Sequence, residues 1–95
     1  MTGRDGSTLE LLARRGALDV FDALVGGPLA ERALTRRLHT LAPSVVTQRV
    51  ADLRRLGVLE RVPESGDLRI SPSGRRLQGV LAALHRWEET DRAVP

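Results

Sequence analysis

The sequence predicts a small, mostly helical domain in which a short β-hairpin lies between three helical segments and a last helix. Three observations lead to this prediction. Aliphatic residues recur at steps of three and four along most of the 95-residue chain. Glycine- and proline-containing stops divide that pattern into segments of helical length. Two short β-rich stretches flank a Pro-Glu-Ser-Gly-Asp sequence that is typical of a hairpin tip.

The first helical segment extends from Leu9 to Val25, with apolar residues recurring on one side. Ser7 or Thr8 is the expected N-cap. Residues 1–7, which are polar and contain two glycines, are expected to be disordered. Gly16 interrupts the segment at a cost of about 1 kcal/mol relative to alanine. A kinked helix and two separate helices therefore both remain open.

The second segment, Leu29–His39, follows the Gly26-Gly27-Pro28 stop, and residues 40–42 form the turn after it. Pro43 suits the first position of the next helix because its missing N–H would have no intrahelical partner there. Ala42 is a poor N-cap, so the sequence leaves open a later start at Ser44.

The stretch Ser44–Leu59 is the one around which the chain is organised. Val46, Val50 and Leu53 form a narrow aliphatic face, while Gln48 lies almost opposite Val46 on the helical wheel. Its outer face carries short polar residues and arginine rather than the Glu/Lys pairs of an ordinary solvated helix. Gly57 suits the left-handed turn that ends helices.

The hairpin is predicted from two β-rich stretches, Val58–Val62 and Leu68–Ile70. Ser71-Pro72 then supplies a cap and a first-turn proline for the last helix, whose apolar spacing continues to about Glu89. Residues 91–95 are expected to fray. Residues 8–90 thus form one folded domain.

This order of elements is that of a winged helix-turn-helix domain, with the central helix as the recognition helix. The apolar faces of the terminal helices are wider than a small bundle needs, which favours a homodimer; burial against the domain's own core is the alternative. The candidate dimer-interface residues are Leu11, Leu12, Leu18, Leu81, Leu84 and Trp87.

The composition excludes several classes of function. The chain has no cysteine, which excludes disulfides, thiolate metal sites and thiol redox sensing. We find no catalytic constellation and no phosphate-binding loop, and His39 and His85 lack a third ligand nearby in sequence. We therefore expect no catalytic residue, metal or cofactor. Without a long apolar run or a signal peptide, the expected location is the cytoplasm, with no membrane partner.

Positive charge is concentrated on the segment that holds the central helix. All fifteen basic residues are arginine, which reflects either GC-rich coding or the recognition of phosphate and guanine. Between Leu29 and Arg61 there are seven arginines and three acids, whereas the rest of the chain has eight basic and nine acidic residues. Such a patch is the electrostatic basis of nucleic-acid binding.

The partner that these features indicate is double-stranded DNA. In this architecture the outer, N-terminal part of the recognition helix reaches the base edges. The candidate base contacts are Ser44, Thr47, Gln48, Arg49 and Ala51. The candidate contacts to the DNA backbone are Arg32, Arg36, Arg37, Arg54, Arg55, Arg61 and Arg69.

Three stretches resemble the HxlR-type branch of winged-helix regulators, which is related to the MarR and ArsR groups. They are GGPLAERALTRRL from Gly26, APSVVTQRVADLRRLGVLER from Ala42, and LRISPSGRRL from Leu68. The resemblance implies a bacterial transcriptional regulator that dimerises through its first and last helices and binds a palindromic operator. The sensor cysteine that many members carry is absent.

The alternative is a winged-helix module, or an antirepressor, that binds proteins and does not read DNA. Glu64 and Asp67 favour it, because they place acidic residues at the hairpin tip, where a basic residue would be expected near the minor groove. The sequence leaves room for a small-molecule effector but identifies none.

Overall fold

The computed structural model describes the backbone of residues 4–93 and the side chains of residues 8–92. This part of the chain contains five helices and one two-stranded sheet: α1 Arg4–Ala13, α2 Ala17–Ala23, α3 Glu31–Arg37, α4 Pro43–Leu56, β1 Leu59–Arg61, β2 Leu68–Ile70 and α5 Pro72–Ala93. The order confirms the predicted fold class.

Gly16 separates α1 from α2, so the first segment is two helices. Its φ of 88° lies in the left-handed region, and a Cβ there would lie 2.9 Å from the Leu41 side chain. Helix α1 begins at Arg4, so residues 4–7 are helical where the sequence predicted disorder. Glycine costs a helix only about 1 kcal/mol, which the cooperative extension of an existing helix can offset. Residues 1–3 lie outside the described residues.

The core lies between α2, α3, α4 and the sheet. Its fully buried large side chains include Phe21, Leu24, Leu34, Leu53 and Leu68. Apart from Phe21 and Leu24, these residues come from separate elements of the chain, so their packing fixes the orientation of α4 relative to the other helices. The aliphatic face predicted for the central helix is therefore the face that is buried.

The hairpin is antiparallel and pairs Leu59 with Ile70 and Arg61 with Leu68. Leu29 adds an isolated bridge to the same sheet, with backbone hydrogen bonds of 2.8 and 3.0 Å to Leu68. A bridge of one residue has no period-two pattern, so it could not be predicted from the sequence. It ties the segment before α3 to the hairpin.

Both ends of α4 are fixed by backbone geometry. The helix begins at Pro43, with Ala42 as an N-cap that makes no side-chain bond, so the later start at Ser44 does not occur. At its other end Gly57 has a φ of 88°, and the Val58 N–H donates to the carbonyl of Leu53 at 3.1 Å. This left-handed turn directs the chain into β1 as predicted.

The start of α5 is anchored on this turn. Ser71 Oγ accepts from the Gly74 N–H at 3.0 Å, which confirms the predicted cap, and donates to the Gly57 carbonyl at 2.6 Å. Gly74 packs so closely on the Val58 carbonyl that a Cβ would overlap it. The last helix therefore begins at a fixed position beside the hairpin.

Helix α5 has 22 residues, a length of about 33 Å, and continues to Ala93 rather than ending near Glu89. Residues 91–93, predicted to fray, are part of the helix; residues 94–95 lie outside the described part. Solvent-exposed positions can extend a helix without apolar periodicity, which is why the sequence pattern ended early. Between residues 4 and 93 no helix is both long and apolar enough to cross a bilayer.

Candidate nucleic-acid interface

The outer face of α4 carries four exposed residues that the sequence predicted as base contacts. They are Ser44, Thr47, Gln48 and Ala51. Thr47 Oγ1 donates to Glu31 Oε2 at 3.3 Å, and Gln48 Nε2 donates to Asp52 Oδ1 at 3.2 Å. This face is therefore polar and accessible, and it presents a hydroxyl, an amide and small side chains.

Arg49 does not belong to that face. Its side chain is only 16% exposed, and its Nη1 lies 2.7 Å from Asp52 Oδ2. Its Nε is buried without a hydrogen-bond partner. Arg49 lies about 100° around the helix from Gln48, on the edge that turns towards the interior. The base contact of Arg49 stays a prediction, and it would require the guanidinium to leave the buried Asp52 carboxylate.

That carboxylate, Asp52, is the site's main feature that sequence analysis missed. It is fully buried, and each oxygen has two donors. Oδ2 accepts from Arg14 at 3.1 Å and from Arg49 at 2.7 Å, while Oδ1 accepts from Gln48 at 3.2 Å and from Arg55 at 3.5 Å. Because Arg14 follows α1, the cluster joins the first helix to α4.

The surroundings of Asp52 keep it ionised. Removal from water alone raises the pKa of Asp52. The hydrogen bonds from Gln48 and Arg14, together with the charges of Arg14 and Arg49, outweigh this effect and lower the pKa below its usual value. A charged carboxylate at this position can only accept hydrogen bonds.

This lowered pKa predicts a loss of stability in acid. The contribution of Asp52 is fully present above its unfolded pKa of 3.8 and is lost as the pH falls through the lower folded value. We expect the free energy of unfolding of the wild type to fall more steeply than that of Asp52→Asn when the pH is lowered below about 4. Urea titrations in acid and at neutral pH measure this. Equal slopes for the two proteins would contradict the lowered pKa.

Five of the predicted phosphate contacts lie on α3 and the later part of α4. Arg32, Arg36 and Arg37 are exposed on α3, and Arg54 and Arg55 are exposed on α4. Arg37 also donates to the Ala23 carbonyl at 3.4 Å. These side chains place positive charge on the solvent-exposed surface of both helices. Their exposure is compatible with the predicted role.

The two arginines of the hairpin are paired with glutamates. Arg61 Nη2 lies 2.8 Å from Glu31 Oε1, and Arg69 Nε lies 2.7 Å from Glu60 Oε2. Partly exposed pairs of this kind contribute about 0–1 kcal/mol, so a phosphate can replace the glutamate at small cost. The sequence did not predict these pairs, although Glu60 and Arg69 oppose each other in the observed register.

The predicted dimer residues divide into buried and exposed groups. Leu11 is only 8% exposed and belongs to the core, so the single chain offers little of its surface to the predicted interface. Leu12 and Leu81 are half-buried against the core. By contrast Leu18, Leu84 and Trp87 are 41%, 50% and 61% exposed. Two further exposed apolar residues, Leu9 and Val80, were not predicted.

Two of these exposed residues, Leu18 and Leu84, line an open groove of about 490 Å³ between α2 and α5. Its lining is mainly apolar and includes Leu18, Phe21, Val25 and Leu81. Among the side chains of residues 8–92, no three His, Asp or Glu residues are grouped so that they could hold a metal ion. The groove is thus suited to apolar contacts.

Solved structures with this architecture identify the fold. The quinone-bound form of YodB from B. subtilis has a TM-score of 0.80 and 19% identity, covering 94% of this chain and 99% of that one. A protein from Enterococcus faecalis V583, assigned as a transcriptional regulator of the MarR family, has a TM-score of 0.76 and 24% identity; the match covers 97% of this chain and 91% of that one. HlyU from Vibrio cholerae N16961 has a TM-score of 0.67 and 24% identity; the match covers 88% of this chain and 90% of that one. This chain has the winged-helix fold.

The sequence itself matches no protein-family model and no curated protein. At these identities the structural similarity establishes the fold alone. Within the winged-helix fold, α3 and α4 occupy the positions of the helix-turn-helix pair, and the β1–β2 hairpin is the wing. The HxlR subtype stays a prediction from the sequence.

Proposed function

We propose that this protein is a homodimeric regulator of transcription that binds an inverted-repeat operator in double-stranded DNA. The observation that carries the proposal is the accessible polar outer face of α4, flanked by arginines of α3 and α4. The solved neighbours support it, since one is described as the transcriptional regulator YodB and another as a MarR-family regulator. Such a protein acts in the bacterial cytoplasm and is not an enzyme. We also propose, from the sequence resemblance, that the regulator is of the HxlR type.

In this proposal the first half of α4 enters the major groove, which is wide enough to admit a helix. Ser44, Thr47, Gln48 and Ala51 then face base edges. The Gln48 amide suits adenine, and the Thr47 methyl suits the methyl group of thymine. Thr47 reaches a base after its hydroxyl leaves the Glu31 carboxylate, an exposed contact that is weak because its length of 3.3 Å is long for a hydroxyl donor.

The arginines contribute affinity through phosphate. Arg32, Arg36 and Arg37 on α3 would contact one strand beside the groove, and Arg54 and Arg55 would contact the backbone near the end of α4. Arg61 and Arg69 join them from the wing once phosphate replaces their glutamate partners. Each contact releases counterions, so the sum of these contacts determines the salt dependence of binding.

Removing two of these arginines tests DNA binding directly. We expect Arg36→Ala with Arg37→Ala to reduce the slope of log K against log salt concentration by about 2 per subunit, because each phosphate contact contributes about 0.9. Fluorescence anisotropy with a labelled duplex, at several salt concentrations, measures the slope. Arg86→Ala with Arg92→Ala is the matched control, because it removes the same charge from exposed positions of α5. An unchanged slope in the first variant would contradict the phosphate role.

The exposed apolar residues of the terminal helices support the homodimer. Leu84 and Trp87 form a stripe with Val80 on α5, and Leu18 on α2 lies beside it. An exposed tryptophan on a helix whose second half is largely solvent-exposed indicates a surface that is covered in the functional state. A second copy covers it symmetrically, and two-fold symmetry then places two α4 helices on one palindromic site.

A winged-helix protein-interaction module, or an antirepressor, is the second candidate. The wing favours it, because both wing arginines are paired with glutamates and the exposed Glu64 lies at the tip. Failure to bind any duplex at low salt, together with a stable complex with another protein, would establish this candidate instead. The groove between α2 and α5 leaves room for a small-molecule effector in either case.

A further inference from the structure

The side-chain amide of Gln48 is held by an acceptor that is itself fixed in the interior. Gln48 Nε2 lies 3.2 Å from Oδ1 of Asp52, one helical turn further along α4. An ionised carboxylate only accepts hydrogen bonds, so the atom of Gln48 nearest to it must be the amide nitrogen and not the oxygen. The chemistry of Asp52 therefore sets which way the amide faces.

Asp52 has little freedom to move or to lose its charge. It is fully buried, and its other oxygen accepts from Arg14 at 3.1 Å and from Arg49 at 2.7 Å. Arg49 is itself mostly buried, and Arg14 comes from the end of the first helix. The acceptor of the Gln48 amide is thus anchored from two elements of the fold.

An amide held in this way presents one defined pair of groups to the outside. One N–H of Nε2 is used by Asp52, so Oε1 and the second N–H remain available. In the major groove adenine offers the N6 amino donor and the N7 acceptor, which match this pair. Guanine offers two acceptors, O6 and N7, and O6 would face Oε1.

We propose that Asp52 is a specificity-determining positioning residue, which orients the Gln48 amide so that α4 selects adenine over guanine at one base of each half-site. The proposal rests on the proposed function, since it requires Gln48 to face a base. It assigns a role in recognition to a residue that itself cannot touch DNA. It also explains why a recognition helix carries a buried acid.

Selection from a random pool of duplex DNA tests the proposal with four proteins. Gln48→Ala identifies the base position that Gln48 reads, and the wild type is expected to prefer adenine there. Asparagine at position 52 can donate as well as accept, so Asp52→Asn frees the amide to turn. We expect the preference for adenine over guanine to fall on the order of 10-fold in Asp52→Asn, at that position alone.

Arg14→Ala is the matched control. It removes a donor from Oδ2 of the same carboxylate but leaves the bond from Gln48 to Oδ1, and Arg14 is 49% exposed. Because Arg49 still holds Oδ2 at 2.7 Å, we expect its adenine preference to fall clearly less than that of Asp52→Asn. If Arg14→Ala relaxes the same position as strongly as Asp52→Asn, a general disturbance of the cluster explains the result, and the specific role of Asp52 is overturned.

A measurement on the free wild-type protein keeps the test decisive if Asp52→Asn does not fold. The chain has two glutamines and no asparagine, so a nitrogen–proton correlation spectrum shows two side-chain amides. We expect the Gln48 amide to move as Asp52 is protonated in acid, while Gln78, whose Oε1 accepts from Arg75 at 2.9 Å, does not follow that titration. Gln48 signals that ignore the titration would overturn the orientation.

The outcomes separate this inference from the proposed function. If the wild type enriches an inverted repeat but the Gln48 position is not adenine, or Asp52→Asn keeps the adenine preference, the inference fails while the regulator stands. If the wild type enriches no motif, both fail. An adenine preference that Gln48→Ala and Asp52→Asn both relax, and that Arg14→Ala relaxes clearly less, supports both.

Discussion

Replacing Asp52 with alanine is expected to lower the free energy of unfolding by about 3–5 kcal/mol. The substitution leaves the guanidinium of Arg49, which is only 16% exposed, without its buried acceptor. Removing one partner of a buried ion pair costs more than the pair contributes, because the other charge stays desolvated. Domains of this size have total stabilities of about 5–15 kcal/mol, so the variant is expected to be close to unfolding.

Urea denaturation followed by circular dichroism measures this loss. Asp91→Ala is the control, since Asp91 is exposed on α5, and such surface substitutions change stability by about 0.5 kcal/mol or less. A loss below about 1 kcal/mol for Asp52→Ala would mean that Arg49 finds another acceptor or water. The Asp52 cluster would then not be the anchor that joins the first helix to α4.

Replacing Leu84 with glutamate is expected to convert the dimer into monomers. Leu84 is 50% exposed in the single chain, so the substitution leaves the fold intact, but it places a charge in the proposed apolar interface. Central interface residues of this kind contribute about 2–4 kcal/mol, so we expect the dissociation constant of the dimer to rise by roughly 30- to 1000-fold. Because fewer dimers form, the affinity for a duplex that carries two half-sites is expected to fall as well.

Sedimentation equilibrium over a range of concentrations measures the association. Arg86→Glu is the control, because it adds a glutamate on nearly the opposite side of α5 from Leu84. If the wild type is monomeric at micromolar concentration, or if both variants weaken association equally, the stripe on α5 is not the interface. A wild-type monomer with an intact DNA-binding face would require a different origin for two-site binding.

The parts of the fold that depend on local sequence were predicted well. The left-handed turn at Gly57, the Ser71 cap and the strand Leu68–Ile70 each follow from chemistry within a few residues. The isolated bridge at Leu29 and the contact between Arg14 and Asp52 depend on partners far away in sequence, whereas the other three donors to Asp52 lie within four residues of it. Arg14 and Asp52 are 38 residues apart, and no periodicity connects them.

The features of the candidate site that the sequence did not reveal have a common physical origin. A helical wheel gives the direction of a side chain but not whether a long one bends to a buried partner, which is why Arg49 was placed on the DNA face. Likewise an apolar face does not reveal what covers it. Leu11 and Leu84 lie on similar faces, yet the first packs into the chain's own core and the second remains exposed.

The most direct test of DNA recognition is selection from a random duplex pool with the purified wild-type protein at two salt concentrations. The account predicts enrichment of an inverted repeat whose half-sites are about one helical turn apart, on the order of 34 Å, at both salt concentrations. Steeply salt-dependent binding without an enriched sequence would mean that α4 reads no bases. No binding at the lower salt concentration would contradict the account altogether and favour the protein-interaction module.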